Sequence, residues 1–327
     1  MNEQRQRLNV WHLLIGFVVA CFNATQSRVN GELGHVVGNG VLAALCSFSS
    51  GWVILLVIAI ISRKVRDAFL SIPSMVRSGQ LKWWQCIGGM AGATYVIGQG
   101  AVVPAVGVAV FTISVVAGQT TSSLLVDKYG LGPSGPKAIT KIRVAAAAIA
   151  IIGVAIAKTG ADHSAAGNHH GLASTLPLVL YAFATGLVTA VQYALNGRVG
   201  VATGQPIATT LLNFTMGTFV LIVALLFMVF VQGVHLNAPP SPLQQPLLWT
   251  GGTIGIIFIA SASVLVRSLG VLVFALLSVV GQLTGAILLD VFFPTKGTEV
   301  TSQIILGVVI TAVAVTIASL PPKQKKG

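Results

Sequence analysis

The chain has 327 residues, of which 8% are charged and 54% are hydrophobic, and its formal net charge is +12. A soluble domain carries roughly a quarter charged residues, so this composition excludes a soluble globular protein. The positive charge does not indicate nucleic-acid binding, because the basic residues lie in connections between apolar segments and form no patch with aromatic residues. We therefore predict an all-α integral membrane protein whose backbone polar groups are satisfied within helices.

Apolar runs of about 20 residues, long enough to cross the hydrocarbon core of a bilayer, recur along the whole chain. They predict ten membrane-spanning helices, at residues 9–31, 36–61, 83–103, 106–126, 142–160, 172–195, 207–231, 247–267, 269–290 and 302–320. The first run follows two arginines, as a signal peptide would, but we interpret it as an uncleaved span because its polar pattern recurs later. The polar segment 161–171 predicts a flexible linker between two five-helix units, 1–160 and 172–327.

The lysines and arginines are divided unequally between the two sides of the predicted helices. Sixteen of the 19 lie on the side that holds both termini, and only Arg28, Lys158 and Lys296 lie on the other. Because basic loops are retained in the cytoplasm, this distribution predicts cytoplasmic N- and C-termini.

The second unit repeats the first. Gln26–Gly31 matches Gln192–Gly197, and Gly118-Gln119 matches Gly281-Gln282, with an aspartate eight residues after each glutamine. Further ordered matches are Phe48 with Phe214, Gly51 with Gly217, Trp84 with Trp249, and Gly107 with Gly270. Because each unit has an odd number of helices, the second copy must enter the membrane in the opposite orientation. Inverted repeats of this kind are typical of secondary transporters.

Amide and hydroxyl side chains form a stripe on one face of the first helix, and a matching stripe recurs on the sixth. Such groups are costly in lipid, so they face the interior of the bundle. Two interpretations stay open: they line a solute cavity, or they form interhelical hydrogen bonds worth about 0.6 kcal/mol each. The candidate substrate-binding residues are Asn23, Gln26, Asn30, Tyr95, Gln99, Gln119, Thr189, Gln192, Asn196 and Gln282. The topology predicts two polar vestibules, one toward each side of the membrane, that open alternately.

Two glycine pairs have the Gly-x-x-x-Gly spacing, Gly88 with Gly92 and the matching Gly251 with Gly255. In apolar helices this spacing predicts close packing between neighbouring backbones rather than nucleotide binding. The two aspartates of the repeat end their helices, and we interpret them as boundary charges or ion-pair partners, for instance Asp127 with Lys128 or Arg143.

No arrangement of residues typical of catalysis is present: we find no carboxylate pair, no His/Cys cluster and no phosphate-binding glycine loop. The central linker contains His163, His169 and His170, and its only carboxylate is Asp162. We interpret these histidines as part of a solvated loop rather than as metal ligands. We therefore predict no enzyme activity, no cofactor and no metal.

The motifs resemble the drug/metabolite transporter (DMT) superfamily and, within it, the YdcZ-type branch in a fused ten-helix form. The resemblance rests on Gln26-x-x-x-Asn30, on Trp83-Trp84 before Gly88-Gly89, on Gly118-Gln119 with Asp127 and Gly130, and on the basic segment before the fifth helix. It implies a bacterial inner-membrane exporter of small metabolites or drugs. A monomer would supply the whole pathway, and a dimer is possible. A lipid-linked sugar flippase and a non-transporting scaffold subunit are the alternatives.

The sequence departs from one relative of that superfamily. The small multidrug exporters have a glutamate in the first helix for proton coupling, whereas here Glu32 stands only at the outer end of that helix, with Arg198 at the matching position. Facilitated diffusion is therefore at least as compatible with the sequence as proton-coupled antiport.

Overall fold

The computed structural model describes residues 10–133, 135–136, 139–165, 172–269, 271–293 and 300–319. Every regular element in these ranges is helical. The α-helices are α1 (Val10–Val37), α2 (Gly40–Ile61), α3 (Arg63–Leu70), α4 (Ile72–Arg77), α5 (Gly88–Lys128), α6 (Lys141–Ala165), α7 (Leu172–Thr203), α8 (Pro206–Phe230), α9 (Gly251–Leu269), α10 (Val271–Phe292) and α11 (Ser302–Ser319). Short 3-10 turns, Trp83–Ile87 and Pro246–Trp249, precede α5 and α9.

Four helical segments of the described chain are long and apolar enough to cross a membrane. They are Gly40–Ile61, Trp83–Lys128, Thr175–Thr203 and Pro206–Phe230. Shorter apolar helices cover Pro246–Ala262, Leu277–Phe292 and Ser302–Ala314. The predicted class, an all-helical membrane protein, is confirmed.

The third and fourth predicted helices follow one another without a loop and together form α5. The backbone between them breaks at Gly107, with φ 81° and ψ 167°. Only glycine adopts this region readily, because a Cβ would collide with the backbone there. We call residues 88–106 the first arm of α5 and residues 108–128 its second arm. The second arm lies at the centre of the bundle, where Phe111 and Ile113 are fully buried.

The connection 62–82, predicted as a loop, contains two short helices. Their apolar side chains Val65, Ile72 and Leu81 are 5%, 5% and 2% exposed. They pack in the same clusters as residues of α7 and α8, including Leu212. Mean hydropathy does not identify this segment, because its basic residues offset the apolar side chains that pack against the bundle.

Several helices are longer than predicted, because hydropathy marks where a span leaves the hydrocarbon and not where the helix stops. Helix α1 continues to Val37 and α7 to Thr203. Helix α6 continues to Ala165, so residues 161–165 of the predicted linker are helical, which corrects that part of the prediction. The remainder of the linker, 166–171, lies outside the described residues.

Helices of the two halves pack against each other throughout. Helix α1 packs on α10 and α9, α7 on α5, α2 on α8, and α6 on α11. Small residues allow the helices to approach closely. At Gly153, for example, a Cβ would enter the space of the Gly307 backbone oxygen. In lipid, such small-residue contacts allow the backbone-to-backbone packing that hydrophobicity alone does not favour.

Candidate functional site

Five side chains from α1 and the first arm of α5 form a hydrogen-bonded group that we call the α1 cluster: Asn23, Ser27, Asn30, Tyr95 and Gln99. The Asn30 amide donates to the Gln99 oxygen at 2.6 Å, and the Gln99 amide donates to the Ser27 hydroxyl at 2.8 Å. The Asn23 amide donates to the Tyr95 hydroxyl at 3.2 Å. The cluster therefore joins the two helices through side chains alone.

The α1 cluster is closed to solvent except at Tyr95, which is partly exposed. Ser27, Asn30 and Gln99 are 1%, 0% and 0% exposed. The helices can approach so closely because Gly34 has no side chain. A Cβ at this position would overlap the backbone of Gly100. With the helix axes this near, short amide side chains span the gap directly.

Gln26, which lies between Asn23 and Asn30 in the α1 stripe, contacts a different neighbour. Its amide donates to the backbone oxygen of Gly251 at 3.0 Å, at the start of α9. Gly251 is the first residue of α9. Gln26 therefore joins α1 to α9.

A second group, which we call the α7 cluster, consists of Gln192, Asn196 and Asn213. The Gln192 amide donates to the Asn213 oxygen at 3.3 Å, and the Asn213 amide donates to the Asn196 oxygen at 3.1 Å. Thr189 is 3% exposed, and its hydroxyl donates to the Thr185 backbone oxygen at 2.8 Å. Thr189 thus bonds within α7 and does not join the cluster in the described structure.

The four glycines of the repeated motif contact the amides of the two stripes. A Cβ on Gly88 would lie 2.8 Å from the Asn196 oxygen, and one on Gly251 would overlap the Asn30 oxygen. Likewise, Cβ atoms on Gly92 and Gly255 would lie 2.7 and 2.8 Å from the amide nitrogens of Gln192 and Gln26, respectively. At each glycine, the absence of a side chain leaves the space that an amide of the other half occupies.

The same correspondence extends to backbone contacts of α5 with α8 and of α9 with α2. A Cβ on Gly89 would overlap the Asn213 backbone oxygen, and one on Gly252 would overlap the Ser47 backbone oxygen. Between these contacts the rings of Phe48 and Phe214 meet with their centroids 5.0 Å apart. Residues that match in sequence thus make matching contacts with the opposite half.

The two clusters differ in one respect. Where the first half has Tyr95 and Gln99, the matching positions seven and eleven residues after Gly251 carry Phe258 and Ala262. The α7 cluster has no amide or phenol at those places, and it is more open. Tyr193 is 45% exposed, whereas Ser27, at the matching position of α1, is 1% exposed.

Tyr193 lies within electrostatic range of Tyr95 and Gln119. Gln119 is half-buried, and its amide nitrogen has no hydrogen-bond partner among the described residues. Gln282, its counterpart, is 3% exposed in α10. Neither glutamine joins the hydrogen bonds of the two clusters within the ranges given above.

The charged residues near the helix ends have structural partners. The Asp127 carboxylate lies 2.7 Å from the Arg143 guanidinium, as the sequence suggested. Asp290 accepts hydrogen bonds from the backbone N–H groups of Val108 and Ala109, at 3.1 and 2.6 Å. Arg198 donates to the backbone oxygens of Gly130 and Leu131, both at 2.6 Å, and so fixes the end of α5 to α7.

The sequence alone did not identify Ser27 and Asn213 as members of the clusters. Ser27 is next to Gln26 and one turn after Asn23, so the helical period would have included it had hydroxyls been weighed with amides. Asn213 has a weaker signal, because its counterpart in the first half is Ser47 and the match is not visible as an identity. Its role depends on the tertiary packing of α7 against α8.

A bundle of apolar helices with amide side chains buried between its halves defines a polytopic membrane protein of the transporter class. The family model described as "Putative inner membrane exporter, YdcZ" matches residues 11–156 and 177–317. The chain belongs to this family. It is therefore a multi-pass inner-membrane protein of a transporter family rather than of an enzyme family, as the resemblance of its motifs indicated.

A solved structure supports the fold. A crystal structure described only as that of a "protein" is similar to this chain with a TM-score of 0.58, and the similarity covers 95% of this chain and 96% of that one. The two sequences are 16% identical, so the likeness concerns the fold alone. No curated protein matches the chain in sequence.

Proposed function

We propose that the chain is a secondary transporter that exports a small metabolite or drug across the inner membrane by alternating access. The observation that carries this proposal is the set of paired contacts between the halves: Gly89 on α8 and Gly252 on α2, Gly88 on Asn196 and Gly251 on Asn30. Contacts of this kind are expected when two copies of one unit face each other around a pseudo-two-fold axis, as in inverted-repeat transporters.

In this proposal the ten predicted spans form two inverted five-helix repeats. Helices α1, α2, the two arms of α5, and α6 form the first, and α7 to α11 form the second. The Phe48–Phe214 contact would lie near the axis, because each ring meets its own counterpart. The five basic residues of connection 62–82, against none in 232–246, support opposite orientations and cytoplasmic termini.

The difference between the two clusters suggests how access could alternate. The α1 cluster is sealed by its hydrogen bonds, whereas Tyr193 beside the α7 cluster is exposed. If the halves exchange roles, the α1 cluster opens while the α7 cluster closes. Such a transporter needs two conformations that differ by only a few kcal/mol, and near-equivalent contacts in the two halves supply that similarity in energy.

The groups available to a solute along this pathway are amides and phenols. Asp127, Asp290 and Arg198 already have partners within the described structure. Amides and phenols both donate and accept hydrogen bonds, so they suit a solute that is polar without a full unpaired charge. The engaged aspartates also favour facilitated diffusion, or coupling to another solute, over proton coupling through a buried carboxylate.

The matched pair Ser27 and Tyr193 gives a direct test of alternating access. In a background without Cys21, Cys46 and Cys86, single cysteines are placed at Ser27→Cys or Tyr193→Cys. Membrane-impermeant maleimide is then applied to intact cells or to inside-out vesicles. We expect Tyr193→Cys to react from the cytoplasmic side only. Ser27→Cys, although buried here, should react slowly from the external side only.

Ser114→Cys is the matched control, because Ser114 is fully buried in the second arm of α5 and its hydroxyl donates to the Val110 backbone oxygen of the same helix. It should stay unreactive from both sides. If Ser27→Cys is as unreactive as Ser114→Cys, the clusters do not exchange exposure and alternating access is wrong. A rigid scaffold subunit would give that result. For the solute itself, a thermal-shift screen of metabolites on purified protein identifies ligands, because a ligand stabilises the state that binds it.

A further inference from the structure

We propose that the connection between α2 and α5 binds the headgroups of anionic phospholipids. This segment carries five cationic side chains, which we call the basic collar: Arg63, Lys64, Arg66, Arg77 and Lys82. Its only acidic residue is Asp67. The proposal concerns a membrane surface and does not depend on which solute the protein moves.

The collar is held in a fixed orientation. Val65, Ile72 and Leu81 point into the protein and are 5%, 5% and 2% exposed. On the opposite side, Arg63, Lys64, Arg77 and Lys82 are all at least partly exposed. The segment is thus an amphipathic layer whose apolar residues pack on the bundle and whose cations face outward.

The collar also lies at the boundary between hydrocarbon and water. It begins directly after Ile60 and Ile61, the end of α2, which are 72% and 78% exposed. Leu70 and Trp83 are 64% and 70% exposed within the same segment or directly after it. Large exposed apolar side chains beside cations, with a tryptophan among them, are characteristic of the headgroup level of a bilayer. Lipid chains would cover the apolar side chains, and phosphates would lie near the cations.

The fold makes little use of these cations. Arg63, Lys64 and Arg66 occupy the first turn of α3, where the helix dipole disfavours positive charge. Arg66 donates to the Ile60 backbone oxygen at 3.4 Å and approaches Asp67 at 3.8 Å, but both contacts are exposed and contribute little. The corresponding connection of the second half, 231–250, contains no lysine, arginine, aspartate or glutamate. Uncharged residues can therefore make that link, so the charge of the collar is not needed to connect two helices.

Anionic phospholipids are the partner that fits. Clusters of four to eight lysines and arginines next to a membrane span attract anionic headgroups, and each cation contributes to the affinity. Here the cations share one surface and lie beside side chains that acyl chains can cover. A soluble anion would use the charge but would gain nothing from Leu70 and Trp83.

The test uses the purified full-length chain in detergent with added lipid, and binding is measured by native mass spectrometry. The triple variant Arg63→Gln, Lys64→Gln, Arg66→Gln removes three charges of the collar. The control Lys323→Gln, Lys325→Gln, Lys326→Gln removes the same charge from the C-terminal segment, which lies outside the described residues. We expect the affinity for phosphatidylglycerol to fall at least about tenfold in the collar variant and less than about twofold in the control. Binding of phosphatidylcholine should be the same in all three proteins.

Two results would overturn the proposal. If both variants lose phosphatidylglycerol binding equally, net charge and not the collar attracts the lipid. If glycerol phosphate or inorganic phosphate displaces phosphatidylglycerol at comparable concentration, the site recognises a free anion. Should the triple variant not remain monodisperse, the double variant Arg77→Gln, Lys82→Gln replaces it. This variant should weaken phosphatidylglycerol binding about fivefold or more, and unchanged binding would refute the proposal.

Discussion

At the scale of single residues, Asp290 connects parts of the chain that are far apart in sequence. Its carboxylate caps the second arm of α5 by accepting from Val108 and Ala109, just after the break at Gly107. Arg28 of α1 lies within electrostatic range of the same carboxylate. The first N–H groups of a helix have no partner within that helix, and no water is available inside a bilayer to bind them. Asp290 therefore satisfies donors that the Gly107 break exposes.

Replacing Asp290 by alanine should destabilise the protein by at least about 2 kcal/mol, because two buried donors lose their acceptor. The substitution Asp290→Asn keeps one acceptor oxygen, so it should cost about 1–2 kcal/mol, comparable to the loss of a helix cap. Thermal unfolding in detergent, followed by tryptophan fluorescence, would rank the variants. Asp67→Asn is the control, because Asp67 is exposed, and its unfolding temperature should not change. Equal midpoints for Asp290→Ala and Asp67→Asn would show that the cap has no role in stability.

At the scale of helices, paired glycines set the distance between the two halves. Gly89 at the start of α5 faces the backbone of α8, and Gly252 at the start of α9 faces the backbone of α2. A backbone oxygen cannot rotate away as a flexible side chain can. An added methyl group at either place must therefore push two helices apart.

Gly89→Ala and Gly252→Ala should each destabilise the protein by about 1–3 kcal/mol, and by similar amounts, because the two contacts are equivalent. Gly200→Ala in α7 is the matched control. A Cβ there would meet only the Thr209 hydroxyl, at 3.7 Å. That variant should be neutral or stabilised by about 0.5–1 kcal/mol, the gain of alanine over glycine within a helix. If Gly252→Ala behaves like Gly200→Ala while Gly89→Ala does not, the proposed equivalence of the two halves is wrong.

At the scale of the whole molecule, the proposed inversion places two corresponding connections on opposite sides of the membrane. Ser78 lies in connection 62–82 and Ser241 in connection 232–246, and both are exposed. In the cysteine-free background, impermeant maleimide should label Ser241→Cys in intact cells and Ser78→Cys only in inside-out vesicles. Labelling of both cysteines from the same side would refute the inverted repeat.

Some features of the fold and of the candidate site could be predicted from the sequence, and others could not. The membrane class follows from hydropathy, since long apolar runs indicate membrane spans. Their helical structure follows as well, because backbone groups in a bilayer must form hydrogen bonds within the chain. The stripe of Asn23, Gln26 and Asn30 follows from the helical period, and Gly88 and Gly92 follow from their spacing. Helices α3 and α4 were not predicted, because a search for membrane spans responds to mean hydropathy, which the basic residues lower. The helical spacing of Val65, Phe69, Ile72 and Val76 was the signal that could have identified them.

By itself, the sequence determined that this chain is helical and membrane-embedded, and which faces of its helices carry amides, because both depend on local composition and period. Only the tertiary structure decided which amide meets which partner. Gln26 bonds to Gly251, Asn30 to Gln99, and Asp290 to the turn after Gly107, and each contact joins helices remote in sequence. Such pairings depend on the distance and rotation between packed helices, which a one-dimensional pattern does not contain.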